Sequence, residues 1–158
     1  MGTISIAAEL AGQFDRTWRM FRQAVERFPQ DQWLAGDVTS LVPARQAYHV
    51  VEMADYFTSP APDQFAWCRF GSFWDTSRVQ KLPSRQELLA YLEEVQQRVD
   101  AWLGGRTDEE MLSPDALFGW TGQSLLGRAV HLLRHTQHHL AEMNAELRRR
   151  NLPILDWR

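Results

Sequence analysis

Apolar residues recur every three or four positions through four separate stretches of this chain, and that spacing limits the fold more than any other feature. A helix turns once in about 3.6 residues, so this spacing places apolar side chains along one face. The clearest stripe comprises Ala7, Leu10, Phe14, Trp18, Phe21, Val25 and Phe28. No stretch shows the strict apolar–polar alternation of a half-buried strand. The sequence therefore predicts an all-α protein.

Turn and capping residues separate the four stretches. Pro29 ends the first helix, and Pro43 suits the first turn of a second one. Ser84 and Glu87 form a capping box that opens a third helix, and Thr121 can cap a fourth. Four main helices joined by two long connections predict a four-helix bundle with long crossover connections.

Length and composition agree with one globular domain. The chain has 158 residues, of which 44% are hydrophobic and 23% are charged. A chain of this size can bury a core large enough to fold alone, so we expect a single domain over residues 1–158.

The connection over residues 59–83 is unusually rich in large rings. A polar loop would not carry so many, so we expect this connection to pack over the bundle as a partly ordered lid or crossover. The rings belong to Phe65, Trp67, Phe70, Phe73 and Trp74.

Charge, hydropathy and cysteine content narrow the possible partners. The net charge of −3 argues against nucleic acid as a partner, because phosphate binding needs concentrated Lys and Arg. No apolar run approaches the length that spans a membrane. The N-terminus lacks the pattern of a secretion signal, and Cys68 is the only cysteine, so we expect a cytoplasmic protein.

Histidines carry the strongest chemical signal. His135 and His139 stand four residues apart, which places them on one side of the fourth helix. On a wheel at about 100° per residue, His139 falls at the edge of the apolar stripe and His135 just beyond it. His131 and His138 rotate towards solvent. The pair forms half of a metal site, although histidines are also tolerated at the margin of a core without any metal.

The second helix carries polar groups that could complete such a site. His49 could supply a third nitrogen. Glu52, about one turn later, could be a further ligand, a proton acceptor or an orienting partner for an imidazole, and Tyr56 is a possible proton donor. Glu142 could orient His139 in the same way. Whether His49 meets the pair depends on tertiary structure, which spacing does not give.

Two segments resemble a known family. YHVV at residues 48–51 lies in the second helix, and LRHTQHHLAE at residues 133–142 lies in the fourth. With the chain length and helix order, these segments resemble the DinB-like family of small bacterial four-helix bundles. The resemblance implies that His49, His135 and His139 bind a divalent metal ion such as zinc, nickel or iron. It also implies a homodimer, which would cover apolar surface that we expect on the first and third helices.

Two functions follow from this resemblance and from the candidate site. The first is a metal-dependent transferase that uses a low-molecular-weight thiol, or a metal-dependent hydrolase, in either case acting on a small-molecule substrate. In that enzyme Glu52 is the candidate base and Tyr56 a candidate donor. The alternative is a non-catalytic, stress-associated protein that binds a metal or ligand and whose metal only joins helices.

Overall fold

The described part of the chain, residues 4–70 and 81–156 of a computed structural model, is helical and contains no strand. This confirms the all-α prediction. The helices are α1 (Ile6–Arg27), α2 (Pro43–Thr58), α3 (Arg85–Leu103), α4 (Asp108–Leu112) and α5 (Leu125–Arg149).

Four of these helices form the bundle. Helix α1 packs against α3 and α5, and α2 packs against the same two helices. Helices α1 and α2, although successive in the chain, therefore occupy opposite corners of the bundle. The predicted four-helix bundle with long crossover connections is confirmed, and the short helix α4 packs beside α1 and α5.

The stripe of α1 forms much of the core. Phe14, Trp18 and Phe21 are at most 1% exposed, and each ring contacts the next along the helix. Burying one phenylalanine side chain contributes about 1.5–3 kcal/mol. This face therefore holds α1 against its two neighbours.

The ends of the later helices follow capping chemistry. The box of Ser84 and Glu87 caps α3 as predicted. The prediction that Thr121 caps the last helix is wrong, because its hydroxyl donates to the carbonyl of Phe118 and closes a turn. The N-cap is Ser124, whose Oγ accepts from the N–H of Gly127.

A buried ion pair fixes the loop that leads into α5. Arg128 donates from Nε and from Nη2 to the two carboxylate oxygens of Asp115, and each of these distances is 2.6 Å. The guanidinium also donates to the carbonyl of Phe57 and lies over the ring of Phe118. Because these partners come from α2 and the loop, the pair ties the start of α5 to both.

The described part of the aromatic connection packs on α2 and α3. Phe70 contacts the rings of Tyr48 and Tyr91, and Phe65 contacts Tyr56. Phe73 and Trp74, which we also assigned to this connection, lie outside the described residues.

Exposed apolar side chains do not lie where we expected them. Within residues 4–70 and 81–156, the large ones belong to the connections, α4, α5 and the chain ends rather than to α1 or α3. None of the described helices is both long and apolar enough to cross a membrane.

Candidate metal centre

Two helices bring three histidines together. His49 on α2 is 7% exposed and faces α5, where His135 and His139 occupy successive turns. One nitrogen from each ring can be chosen so that all three lie within 4.8 Å of one another. The tertiary structure thus supplies the contact that spacing alone does not give.

The geometry of this histidine triad suits a shared cation. The Nε2 atoms of His49 and His135 are 2.9 Å apart. Metal–imidazole distances are about 2.0–2.1 Å, so both nitrogens can contact one ion. The ring of His139 stands 4.6 Å from each of the other two rings, measured between centroids. The residues present therefore fit a divalent ion with nitrogen ligands.

Burial keeps the triad uncharged. Burial first, and then the neighbouring histidines, lower the pKa of His49 to about 2 and that of His135 to about 4. Burial also lowers the pKa of His139, although Glu142 acts in the opposite direction. All three imidazoles are neutral at pH 7, which is the form that binds metals.

Acceptors on two helices hold the outer nitrogen of His139. Its Nδ1 lies 2.7 Å from Oε2 of Glu142 and 2.9 Å from Oε1 of Gln46. A carboxylate only accepts when ionised, so Nδ1 carries the proton and Nε2 keeps its lone pair. The sequence suggested the role of Glu142. We missed Gln46, which stands three residues before His49 and so on a similar side of α2.

The other two histidines of α5 lie outside the triad. His131 contacts the rings of Phe57 and Trp120. The side chain of His138 is 67% exposed, and its Nε2 is 3.6 Å from a Glu142 oxygen. His138, His139 and Glu142 form a second, more exposed group of potential ligands.

Glu52 lies under the aromatic connection and outside the group of three histidine ligands. It is fully buried, and its Oε1 accepts from the hydroxyl of Tyr48 at 2.7 Å and from the N–H of Cys68 at 2.9 Å. Burial raises the pKa of Glu52 despite these donors, which lower it. Its Oε2 has no hydrogen-bond partner among the described residues.

Tyr56 sits in a group of aromatic side chains. Its ring contacts those of Phe57, Phe65, Trp67 and Phe118. The structure therefore places it in packing contacts beside the connection. Its role as a proton donor stays a prediction.

A groove of about 910 Å³ opens beside the connection, between α2 and α3. Asp55, Cys68, Tyr91 and Arg98 are among its lining residues, and none of the triad histidines lines it. This groove is thus separate from the histidine triad.

The fold and this centre define a class: a small helical bundle in which three histidines from two helices can hold a metal ion. The model of the DinB superfamily matches residues 13–143, and the chain belongs to that superfamily. A comparison with curated proteins finds no match.

Proposed function

We propose that this protein binds a divalent metal ion through His49, His135 and His139 and uses it to promote attack of a small thiol or water on a small electrophilic substrate. The observation that carries the proposal is the convergence of three neutral imidazoles at one point between α2 and α5. Within the described residues the group has three members, so part of a coordination sphere is left for exchangeable ligands.

Neutral ligands leave the charge of the ion intact. When bound, such an ion lowers the pKa of a thiol or water and polarises an electrophile. Zinc, nickel and iron all accept imidazole ligands, so the donor set fits each of them. The chain contributes the placement of its imidazoles and the exclusion of water around His49, which is almost fully buried.

Glu52 is the proton acceptor in this proposal. Burial raises the pKa of the Glu52 carboxyl, so Glu52 binds a proton more readily than an exposed carboxylate does. Its Oε1 is engaged by Tyr48 and Cys68, whereas Oε2 is not engaged by any described residue. Proton uptake is therefore assigned to Oε2. The ring contacts of Tyr56 favour a packing role over the donor role predicted for it.

A thiol nucleophile would make the protein a transferase, and water would make it a hydrolase. The proposal includes both reactions, because a bound divalent ion lowers the pKa of a thiol and of water alike. The protein would act in the cytoplasm, as a homodimer, on a small molecule.

The second candidate is a non-catalytic metal protein, and the position of the groove favours it. The groove of about 910 Å³ has no triad histidine in its lining. An ion at the triad would then join α2 to α5 without meeting a substrate held in that groove.

Metal-loaded wild-type protein, screened with small thiols and with hydrolysable esters and amides, tests the two candidates. We expect turnover that is lost in His139→Ala and reduced in Glu52→Gln. His138→Ala is the matched control, because that residue neighbours His139 on α5 but is exposed. Equal rates in wild type and His139→Ala would reject the enzyme. Metal binding without any turnover would support the second candidate.

A further inference from the structure

We propose that Glu142 and Gln46 together act as positioning residues for His139, by sharing its Nδ1 proton between α5 and α2. This inference rests on the proposed metal centre and adds the groups that orient one of its ligands. Both acceptors are within 3 Å of Nδ1, at 2.7 Å for Glu142 and 2.9 Å for Gln46.

The orientation of the Gln46 amide supports this assignment. Its Nε2 donates to the carbonyl of Ser40, in the turn that precedes α2. The amide nitrogen is thereby directed away from His139, and Oε1 faces the imidazole as an acceptor. Two independent acceptors therefore agree that Nδ1 carries the proton and that Nε2 is the ligand atom.

This arrangement has a consequence for the ligand. An imidazole that donates its outer N–H to a carboxylate is a stronger donor at the other nitrogen, and its ring is held at a fixed angle. The side chain of His139 is only 16% exposed, and that of Glu142 is 34% exposed. Water therefore competes only partly for the hydrogen bond between His139 and the Glu142 carboxylate.

Because two acceptors share one proton, we expect single and double substitutions to reduce the affinity for metal by different amounts. When either acceptor is removed, the other can take the whole hydrogen bond. We therefore expect Glu142→Ala and Gln46→Ala each to weaken metal binding moderately. The double variant should weaken it by about 10–100-fold, which is more than the product of the single effects. Glu142→Gln keeps an acceptor and should recover most of the affinity.

Two measurements test the proposal. The first is the affinity for Zn²⁺, obtained by competition with a chromogenic chelator, together with the visible spectrum of the Co²⁺-loaded protein, which reports ligand geometry. The second is the tautomer of His139 in metal-free protein at pH 7, from long-range ¹H–¹⁵N NMR correlations. We expect the Nδ1–H tautomer in wild type and a mixture of tautomers in the double variant.

The outcomes separate this inference from the proposed function. Wild-type protein that binds Zn²⁺ while the double variant keeps its affinity and Co²⁺ spectrum would overturn the positioning role alone. An Nε2–H tautomer in wild type would overturn it even if no metal binds. Failure to bind Zn²⁺ with the expected tautomer present would reject the metal centre and leave the hydrogen-bond assignment standing. A second equivalent of Zn²⁺ lost in both His138→Ala and Glu142→Ala would make Glu142 a ligand and overturn the proposal.

Discussion

At the scale of single residues, burial of His49 and His135 links the protonation of the protein to its stability. Both side chains have a pKa well below the ordinary value of about 6.5 for a histidine. In the unfolded chain they would return to that value. Acid therefore favours the unfolded state at these positions, and the effect begins where an exposed histidine would start to protonate.

Metal-free protein should lose stability as the pH falls from about 6.5 towards 4. Between these pH values His49 and His135 bind protons in the unfolded chain but not in the folded protein. The free energy of unfolding therefore decreases as the pH falls. Each histidine contributes up to about 1.4 kcal/mol per pH unit. Urea denaturation at several pH values measures the slope. His135→Asn should flatten it, and an unchanged slope in that variant would contradict the assignment.

Replacement of His135 and of His138 by alanine should affect metal binding differently, although both residues lie on α5. His135 has its Nε2 in the triad, whereas the side chain of His138 is 67% exposed. We expect His135→Ala to lose most of the bound metal and His138→Ala to stay close to wild type. Metal content after equilibrium dialysis measures both. Similar losses in the two variants would mean that the ligands are assigned to the wrong face of α5.

At the scale of elements, the Glu52 carboxylate links α2 to the aromatic connection. It accepts from the N–H of Cys68. The φ angle of Cys68 is 68°, a backbone conformation that residues other than glycine seldom adopt. This contact joins the described part of the connection to the buried face of α2.

Removing that anchor should expose Cys68. In Glu52→Ala the N–H of Cys68 loses its acceptor, so the half-buried thiol should react faster with a thiol-specific reagent than in wild type. Glu94→Ala is the control, because it removes the exposed pair with Arg69 but leaves the anchor intact. An increase of similar size in both variants would show that Glu52 is not the anchor.

The buried ion pair of Asp115 and Arg128 should contribute far more to the stability of the fold than an ion pair on the surface. Asp115→Ala leaves a guanidinium buried without its partner, at a cost of about 3–5 kcal/mol. Asp15→Ala removes a partner of Arg19 on the surface of α1 and should change stability little. Denaturant midpoints of the two variants provide the comparison. Comparable midpoints would contradict the structural role of the buried pair.

The sequence predicts these elements better than it predicts their ends and contacts. The stripe of α1 and the box at Ser84 follow from local chemistry, so both are visible in sequence. Two residues that can cap a helix, Thr121 and Ser124, compete for the start of α5, and a turn at Phe118 decides between them. The partnership of Gln46 with His139 depends on the packing of α2 against α5, which no local pattern encodes.

At the scale of the whole molecule, the sequence predicts self-association, a property of several chains together. The family resemblance implies a homodimer. Among the described residues, the large exposed apolar side chains do not lie on α1 or α3, where we expected the surface that a dimer would cover.

Leu117 and Trp120, which are 54% and 65% exposed, are the prominent apolar side chains of the loop before α5. We expect sedimentation velocity at tens of micromolar to show a species of twice the 18.4 kDa chain mass. Leu117→Glu should shift it towards monomer if this loop forms the interface, because it would bury a charge there. Ile154→Glu, near the end of the chain, is the control. A wild-type protein that sediments only as a monomer would reject the dimer.

The diagonal placement of α1 and α2 has a consequence for how the protein is made. During synthesis α1 emerges before α3 and α5, the two helices that cover its stripe. In a nascent chain the stripe with Phe14, Trp18 and Phe21 is therefore not fully covered until α5 has been synthesised. Apolar surface that stays exposed during folding favours aggregation. The two helices that carry the histidines, α2 and α5, likewise meet only after α5 has been synthesised, so the metal centre is among the last parts of the bundle to form.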